Sequence, residues 1–304
     1  MNPRPPDPAA LSWDLLGAFL AVMRTGSLSG AARALGVAQP TVRRQIETLE
    51  GVLGVVLFTR SQTGLVATET ATATLPYAES MASVAEALVR SVSAPSDADR
   101  GTVRVTCAEI VGAEVLPPML ADLRRARPHL QIELSLTNAN EDLLQRHADI
   151  AVRMAQPTQS ALVAKRVGSV KLGLFAREDY LADHPAPRTP ADLLRGHALV
   201  GRDRDPSFFA GLAAAGLPSK RKDFALRSDS DVACLAAIRA GIGIGFCHLP
   251  LAARPPRLQR VLPKLGFELP IWVVTHEDLR ASRRVALVFE HLVASLAVYA
   301  RSAS

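Results

Sequence analysis

The sequence predicts an α/β protein that carries an all-α-plus-wing N-terminal domain. Three observations support this prediction. Residues 26–50 contain two short helical patterns that are separated at Gly36. Residues 53–68 read as two short strands around a Gly-containing turn. From residue 102 onward, strand-like and helix-like stretches alternate, which is typical of α/β domains with mostly parallel sheets.

The composition is that of a globular chain with more than one core. Of the 304 residues, 48% are apolar and 21% are charged, which is enough for two or more domains. Aromatic residues make up only 5%, so Ala, Leu and Val must build the cores. The net charge of +6 permits a nucleic-acid or membrane partner but does not identify one.

Several function classes are disfavoured. Cys107, Cys234 and Cys247 form no C-x-x-C pair and no His/Cys metal spacing, which fits a reducing cytosol. The short N-terminal apolar segment lacks a basic run, and no apolar run reaches 18 residues. We therefore expect a cytoplasmic protein without a signal peptide or membrane span. Zinc-protease, phosphate-loop and Ser-hydrolase motifs are missing, so we expect no enzyme, cofactor or metal site.

Residues 1–11 are rich in proline and are expected to be disordered, whereas residues 12–68 have the local signals of a winged helix-turn-helix. Ser27 is a good N-cap, and Gly36 can end the first helix because glycine adopts positive φ at little cost. Pro40 suits the first turn of the second helix. The inward positions are apolar: Ala31, Ala32 and Leu35, then Val42, Ile46 and Leu49. Such a break sets the second helix at a steep angle, as entry into a DNA major groove requires.

The second helix carries polar and basic residues on its outer face. At about 100° per residue, that face holds Pro40, Thr41, Arg44, Glu47 and Thr48, with Arg43 on the flank. An ordinary helical hairpin with solvated charges has the same pattern and remains an alternative. The strand pair that follows favours DNA, because Arg60, Gln62 and Thr63 at its tip suit a wing that touches the phosphate backbone.

A helix is expected over residues 69–92, followed by a linker at 93–101. Thr68 is a plausible N-cap. Apolar residues recur at helical spacing: Leu75, Met81, Ala82, Ala85, Leu88 and Val89. Pro76 argues against a straight, uninterrupted helix. An apolar stripe on a lone helix would be an unpaired surface, so we expect self-association through residues 69–92.

The remaining residues, 102–304, read as an α/β domain. Strands are expected at residues 102–107, 130–136, 148–154, 172–176, 224–230, 243–248 and 269–275. Helices are expected at residues 114–128, 140–147, 177–184, 231–241 and 282–300. Ligands of open α/β sheets bind beyond the C-terminal ends of the strands, so the residues at those ends are the candidates for a binding site.

The stretch FLAVMRTGSLSGAARALGVAQPTVRRQIETLEGVLGVVLFTRS, residues 19–61, resembles the winged helix-turn-helix of the LysR-type transcriptional regulators. The order of parts is similar as well: a winged domain, a linker (dimerisation) helix, and a two-lobed effector domain like the periplasmic solute-binding proteins. The resemblance implies a DNA-binding transcriptional regulator that a small-molecule co-inducer modulates. The implied partners are double-stranded promoter DNA, the effector, other copies of the chain in a dimer or tetramer, and RNA polymerase for an activator.

The resemblance also assigns residues to DNA binding. They are Ser27, Ser29, Gln39, Pro40, Thr41, Arg43, Arg44, Arg60, Gln62 and Thr63. The family usually has Ser before the Gln of the recognition helix, where this chain has Ala38. Arg43 stands where the family often has Ser, so a different base preference is expected. The family's Thr-Glu-Ala-Gly after the wing is Thr-Glu-Thr-Ala here, at residues 68–71.

The effector is expected between two lobes, residues 103–168 plus 270–300 and residues 171–267. The chain would cross between them near Gly168–Lys171 and Glu268–Ile271. The candidate contacts are Thr106, Cys107, Ala108, Glu109, Ile110, Asn138, Asn140, Arg153, Ser228, Ser230, Phe246 and His248. Thr106 is the only hydroxyl at the first strand end, where the family often binds an anion through Ser or Thr. We therefore expect a ligand with apolar surface, held at its polar end by Asn138, Asn140 or Ser228.

For several residues the sequence is compatible with more than one role. Ser228 and Ser230 suit either an anion site or an N-cap. Glu109 disfavours a neighbouring anion unless it points outward or pairs with Arg153. Cys234 fits a core position, whereas Cys107 and Cys247 end strands and leave a redox role open. Asp149 fits a role in loop structure, and the segment GIGIG (241–245) fits close packing at a lobe junction.

The sequence is compatible with three classes of function. A ligand-responsive DNA-binding regulator is favoured. An architectural DNA binder whose α/β domain senses nothing is the second. An enzyme fused to a DNA-binding module is the third, and the lack of a catalytic motif weakens it.

Overall fold

A computed structural model describes residues 8–61, 64–92, 99–138, 148–157 and 162–302. The chain divides into two compact units, whose described residues run from 8 to 89 and from 90 to 302. Each unit contains its own hydrophobic core. None of the helices in the described ranges is both long and apolar enough to cross a bilayer.

Helices and one β-hairpin make up the first unit. They are α1 (Trp13–Thr25), α2 (Leu28–Leu35), α3 (Gln39–Leu53), β1 (Phe58–Ser61), β2 (Gly64–Ala67) and α4 (Glu69–Val92). The predicted helix-turn-helix and wing are confirmed. Disorder is predicted for residues 1–11, but Pro8–Ala10 forms a short 3-10 helix, and residues 1–7 lie outside the described ranges.

The core of the first unit forms where α1, α2 and α3 meet. Val42, Ile46 and Leu49 are buried on the inner face of α3, as predicted, and Phe19 of α1 is fully buried in the same core. The inward position predicted for Leu35 is wrong, because its side chain is 41% exposed. Leu35 is the last residue of α2, where the chain already turns away from the core.

Helix α4 runs from Glu69 to Val92 with Pro76 inside it, so the predicted interruption is wrong. A proline removes only one intrahelical hydrogen bond, and the rest of the helix can persist around it. Thr68 caps the helix as predicted, since its Oγ1 accepts a hydrogen bond from the Ala71 amide at 3.1 Å.

Helix α4 carries two apolar stripes along its length. The inner stripe, which packs against the core of the first unit, is Ala71, Leu75, Ala78 and Ala82. The outer stripe, whose side chains are 42–72% exposed, is Tyr77, Met81, Val84 and Leu88. The single stripe predicted from Leu75 to Val89 therefore serves two surfaces, and Leu75 belongs to the buried one.

One eight-stranded sheet runs through the second unit, in the order β4-β3-β5-β10-β6-β9-β7-β8. Its strands are β3 (Gly101–Cys107), β4 (Leu130–Leu136), β5 (Ile150–Arg153), β6 (Leu162–Arg177), β7 (Leu199–Gly201), β8 (Phe224–Arg227), β9 (Ile244–His248) and β10 (Leu258–His276). Strands β3, β4 and β5 are parallel, and so are β7, β8 and β9; we call these groups the β3–β5 half and the β7–β9 half. Strands β6 and β10 join the halves by antiparallel pairing, so the expectation of parallel strands holds only within each half.

Strands β6 and β10 are much longer than the predicted strands at 172–176 and 269–275. They pair with each other, with Gly168 opposite Ile271 and Lys171 opposite Glu268. The two segments predicted to cross between lobes are therefore direct neighbours in the sheet. The register shifts immediately beyond Ile271, and such irregularities bend a strand locally.

The helices of the second unit are α5 (Leu116–Ala126), α6 (Glu178–Asp183), α7 (Pro190–Gly196), α8 (Pro206–Ala214), α9 (Asp231–Arg239), α10 (Leu249–Ala252) and α11 (Arg283–Arg301). A π-helical turn at Val111–Val115 precedes α5. Helices predicted near α5, α6, α9 and α11 are confirmed, and the one predicted at 140–147 lies outside the described residues. No prediction covers β7, α7 or α8, although Thr189 and Asp205 provide N-cap signals for the two helices.

Candidate nucleic-acid interface and ligand cleft

The turn between α2 and α3 depends on small residues with defined backbone roles. The Ser27 side-chain oxygen accepts a hydrogen bond from the Gly30 amide at 3.0 Å and caps α2. Gly36 ends α2 at a φ of 66°, which glycine tolerates. A Cβ at Gly30 would lie 2.8 Å from both the Ser27 oxygen and Thr25 Cβ, so this position favours glycine as well. These local contacts set the direction in which α3 leaves the turn.

Helix α3 turns a polar and basic face to solvent. Pro40, Arg43 and Arg44 are exposed, and Gln39 and Thr41 are half-buried. Since the opposite face is buried in the core, the two arginines cannot rotate inward. In α2, Ser29 is exposed, whereas Ser27 is half-buried and its oxygen already serves as the cap.

The wing is a two-stranded antiparallel hairpin. Phe58 pairs with Ala67, and Ser61 pairs with Gly64. The backbone of Arg60 lies opposite Leu65, next to the tip. Gln62 and Thr63 lie outside the described residues, so their DNA contacts stay predictions.

A cleft of about 490 Å³ lies in the second unit, and both halves of the sheet contribute to its wall. Six predicted effector residues line it: Ala108, Ile110, Asn138, Arg153, Phe246 and His248. Thr106, Cys107, Glu109, Ser228 and Ser230 lie outside the lining, and Asn140 lies outside the described residues. Phe208, Phe267, Leu172 and Leu269 also line the cleft, so much of its wall is apolar.

The hydroxyl candidates have structural partners instead. Thr106 is buried, and its Oγ1 accepts a hydrogen bond from Arg153 Nη2 at 3.3 Å. The Ser230 oxygen accepts from the Ala233 amide at 3.2 Å and caps α9. The Ser228 oxygen accepts from the Ser230 amide at 3.2 Å. The geometry therefore favours capping for Ser230, whereas Ser228 has a hydrogen bond from the loop before the helix.

Arg202 is the prominent polar group of the cleft that the sequence reasoning misses. Its Nη2 donates to both carboxylate oxygens of Asp231 at 2.7 Å, and its Nη1 donates to Asp205 at 3.0 Å. Burial raises the pKa of Asp231, and the Arg202 guanidinium opposes that rise. Arg202 follows β7 directly. Because no strand is predicted at β7, no strand end points to this arginine.

Helix α9 of the β7–β9 half is tied to the β3–β5 half near both of its ends. At its start, Asn138 Nδ2 donates to Asp231 at 3.3 Å, and Asn138 Oδ1 accepts from the Glu109 amide at 3.0 Å. At its end, Arg239 forms a bidentate pair with Glu114, at 2.7 and 3.1 Å. These contacts join the two halves and therefore depend on the angle between them.

The buried cysteine thiols and the imidazole of His248, at or near the cleft, are neutral at neutral pH. Burial raises the pKa of the Cys234 thiol to about 11 and those of Cys107 and Cys247 to about 12. Because the thiolate is the reactive form, these values disfavour a redox role. Burial also lowers the pKa of His248 to about 4, and its Nδ1 lies 2.9 Å from the Tyr299 hydroxyl.

Two further motifs have structural roles. The Asp149 carboxylate accepts a hydrogen bond from the Arg104 amide at 2.8 Å, in keeping with a role in local structure. In the segment GIGIG, a Cβ at Gly243 would lie 2.2 Å from the Ala198 carbonyl oxygen. The predicted close packing is therefore present, but it lies against the strand start at β7 and not at a junction between lobes.

Comparison with known proteins gives matches over both units. Residues 13–72 match the family model described as bacterial regulatory helix-turn-helix protein, lysR family, and residues 96–297 match the LysR substrate binding domain. The chain is 28% identical over 294 residues to the HTH-type transcriptional activator TtdR of Escherichia coli strain K12, which covers 93% of this chain and 94% of that protein. It is 26% identical over 291 residues to the HTH-type transcriptional regulator CrgA of Neisseria meningitidis serogroup C strain 8013, covering 92% and 96%.

Solved structures share the fold. CbnR, a LysR family transcriptional regulator, superposes with a TM-score of 0.68 at 21% identity, covering 94% of this chain and 99% of that one. Full-length CbnR complexed with its target DNA gives a TM-score of 0.66 at 22% identity, covering 94% and 100%.

We expect Glu114→Gln to destabilise the second unit at neutral pH, by about 1–2 kcal/mol after allowance for partial solvent exposure. The hydrogen bond from Arg239 lowers the pKa of Glu114 below 4.5 in the folded protein. The ionised Glu114 side chain therefore contributes its full stabilisation above pH 4.5. This contribution is lost as the pH falls through the lowered pKa of the folded protein. Urea unfolding should show a difference between variant and wild type at pH 7 that shrinks under acid. Glu290→Gln, an exposed control on α11, should unfold at the same urea concentration as wild type. A Glu114→Gln difference that is independent of pH would contradict a stabilising role for the ionised Glu114.

Proposed function

Because the chain belongs to the LysR family of bacterial transcriptional regulators, we propose that it reads promoter DNA through α2, α3 and the wing. We further propose that it assembles through α4 and binds a small-molecule effector in the cleft of the second unit. Since bacterial promoter DNA lies in the cytoplasm, we propose that the protein is cytoplasmic. If it activates transcription, RNA polymerase is a further partner.

The observation that carries the DNA assignment is the two-sided character of α3. Its inner face is buried in the core, and Arg44 lies at the centre of the opposite face with Arg43 on the flank. A recognition helix needs this arrangement, since it must be held rigidly while its outer residues reach base edges. The proposed contacts remain Ser27, Ser29, Gln39, Pro40, Thr41, Arg43 and Arg44 in the helices, and Arg60, Gln62 and Thr63 in the wing.

Arg44→Ala is expected to weaken operator binding. If Arg44 is bidentate to a guanine, its loss should cost about 1–3 kcal/mol and relax preference at one base pair. A phosphate contact would instead weaken all sequences alike and reduce the salt dependence of binding. Fluorescence anisotropy across a salt series separates the two. Arg195→Ala removes the same charge from the exposed surface of α7 and should bind as wild type does; unchanged binding by Arg44→Ala at every salt concentration would refute the assignment.

The outer stripe of α4 supports self-association. Tyr77, Met81, Val84 and Leu88 form one exposed apolar line along the helix, and such a line on a soluble protein is typical of an interface. Pairing two copies of α4 would bury it. A dimer would also present two recognition helices to successive turns of a major groove. We propose at least a dimer, and a tetramer as the fuller assembly.

The double variant Met81→Lys/Leu88→Lys is expected to be monomeric in light scattering, because it places charges in the proposed interface. Leu75 is not used for this purpose, since it packs against the core of its own unit. Glu79→Lys is the control, because Glu79 is exposed on another face of α4. Retention of the wild-type mass by a folded double variant would exclude this interface.

We propose that the effector has an apolar body that lies against Phe208, Phe246 and Phe267. Its polar end would meet Asn138 and the Arg202–Asp231 pair, which replace Ser228 in that role because Ser228 lies outside the lining. The neighbouring segments at 168–171 and 268–271 would act as a hinge. A ligand shifts such an equilibrium only by its differential affinity for the two angles. Asn138 and the Arg202–Asp231 pair belong to opposite halves, so a ligand that contacts both would have an affinity that depends on the angle.

Ala108→Trp is expected to fill the cleft and abolish effector binding. Metabolites that raise the thermal midpoint of full-length protein identify ligands, and a ligand at 100 times its Kd adds about 2.7 kcal/mol of stability. The same compounds should leave the midpoint of Ala108→Trp unchanged. Leu134→Trp is the control, because Leu134 is 37% exposed and lies outside the cleft. A compound that stabilises Ala108→Trp as strongly as wild type would place the effector elsewhere.

A further inference from the structure

Glu50 occupies an unfavourable local position on α3. It lies in the last turn of the helix, where the helix dipole disfavours a carboxylate, and that turn contains no basic residue. Its side chain is half-buried and points away from the outer face that carries Arg44. A charged residue in such a place needs hydrogen-bond partners to offset its cost.

The partners of Glu50 are the backbone amides that lead into the wing. Its Oε1 accepts from the amides of Leu57 at 2.7 Å and Phe58 at 3.1 Å. Its backbone carbonyl accepts from Gly54 and, at 3.1 Å, from Val55. One residue at the end of α3 thus receives four N–H groups from the segment that ends in the first residue of β1.

The same segment is held from its other side. The single hydroxyl proton of Thr68 is shared between the carbonyl oxygens of Val56, at 2.9 Å, and Leu57, at 3.1 Å. The Thr68 amide donates to the Leu57 carbonyl at 2.9 Å. Leu57 is fully buried, and the Phe58 ring lies 5.9 Å from that of Phe19. The base of the wing is therefore fixed by Glu50 toward α3 and by Thr68 toward α4.

We propose that Glu50 is a positioning residue for DNA recognition, which fixes the wing relative to the recognition helix. Strand β1 rises about 3.3 Å per residue, so its last residue, Ser61, lies about 10 Å from Phe58, whose amide Glu50 holds. A tilt of about 10° at the base would move Ser61 by about 2 Å, enough to break a hydrogen bond to phosphate. This inference rests on the proposed function of the wing.

The test compares three variants of the full-length protein on a duplex that the wild type selects from a random-sequence pool. Glu50→Ala should bind about tenfold more weakly, with a salt slope reduced by about one phosphate contact. Glu50→Gln keeps an oxygen that accepts both amides and should bind nearly as wild type does. Glu79→Ala, which removes an exposed carboxylate from α4 in the same unit, should bind as wild type does. If only the charge of Glu50 mattered, Glu50→Ala and Glu50→Gln would both tighten binding, and that result would overturn the proposal.

A mutant cycle with Arg60→Ala locates the effect in the wing. Arg60→Ala should weaken binding in the wild-type background and have little further effect in Glu50→Ala, because the wing is already misplaced. No effect of Arg60→Ala in wild type would refute the DNA contact assigned to Arg60. An effect that is present and fully additive would refute the positioning role of Glu50. Thermal unfolding of each variant confirms that the binding data come from folded protein.

Discussion

The burial of three side chains on one face of α3 is the constraint on which the first unit depends. Val42, Ile46 and Leu49 contribute about 1.5–3 kcal/mol each by leaving water. Any rotation of α3 about its axis would expose them, so the rotation is fixed, and Arg44 is left at the centre of the solvent face. The position of the wing depends on the same helix, because the base of the wing is hydrogen-bonded to Glu50 at the end of α3.

The second unit follows a different principle. Strands β6 and β10 join the two halves of its sheet, and polar pairs such as Asn138–Asp231 and Glu114–Arg239 add contacts between the halves. Apolar side chains of both halves also lie in one core cluster, so the halves share a packed interior. The net free energy of a hydrogen bond that exchanges with water is small, and we propose that a ligand that contacts these polar pairs shifts the angle between the halves by its differential affinity. We propose that this shift alters DNA binding by the first unit, whose α3 is the part proposed to read DNA.

The sequence predicts the elements whose causes are local. Ser27 and Gly36 define the ends of α2, and the apolar period of α3 identifies its buried face. Arg202 is different, because its partner Asp231 is 29 residues away and no local pattern joins the two. The two stripes of α4 also could not be distinguished from the sequence. Both have helical spacing, and spacing alone does not show whether Leu75 or Met81 packs against the core. Long strands that serve both halves of a sheet are likewise not marked by turn residues at the point of crossing.

The most direct test of the central claim, that the outer face of α3 reads DNA, is the capture of genomic fragments by full-length protein, followed by sequencing. The wild type should enrich a small set of fragments that share two half-sites separated by about one helical turn of DNA or a multiple of it. A folded Arg43→Ala/Arg44→Ala variant should lose that enrichment. Uniform coverage by the wild type, or the same enriched fragments with the variant, would contradict the claim.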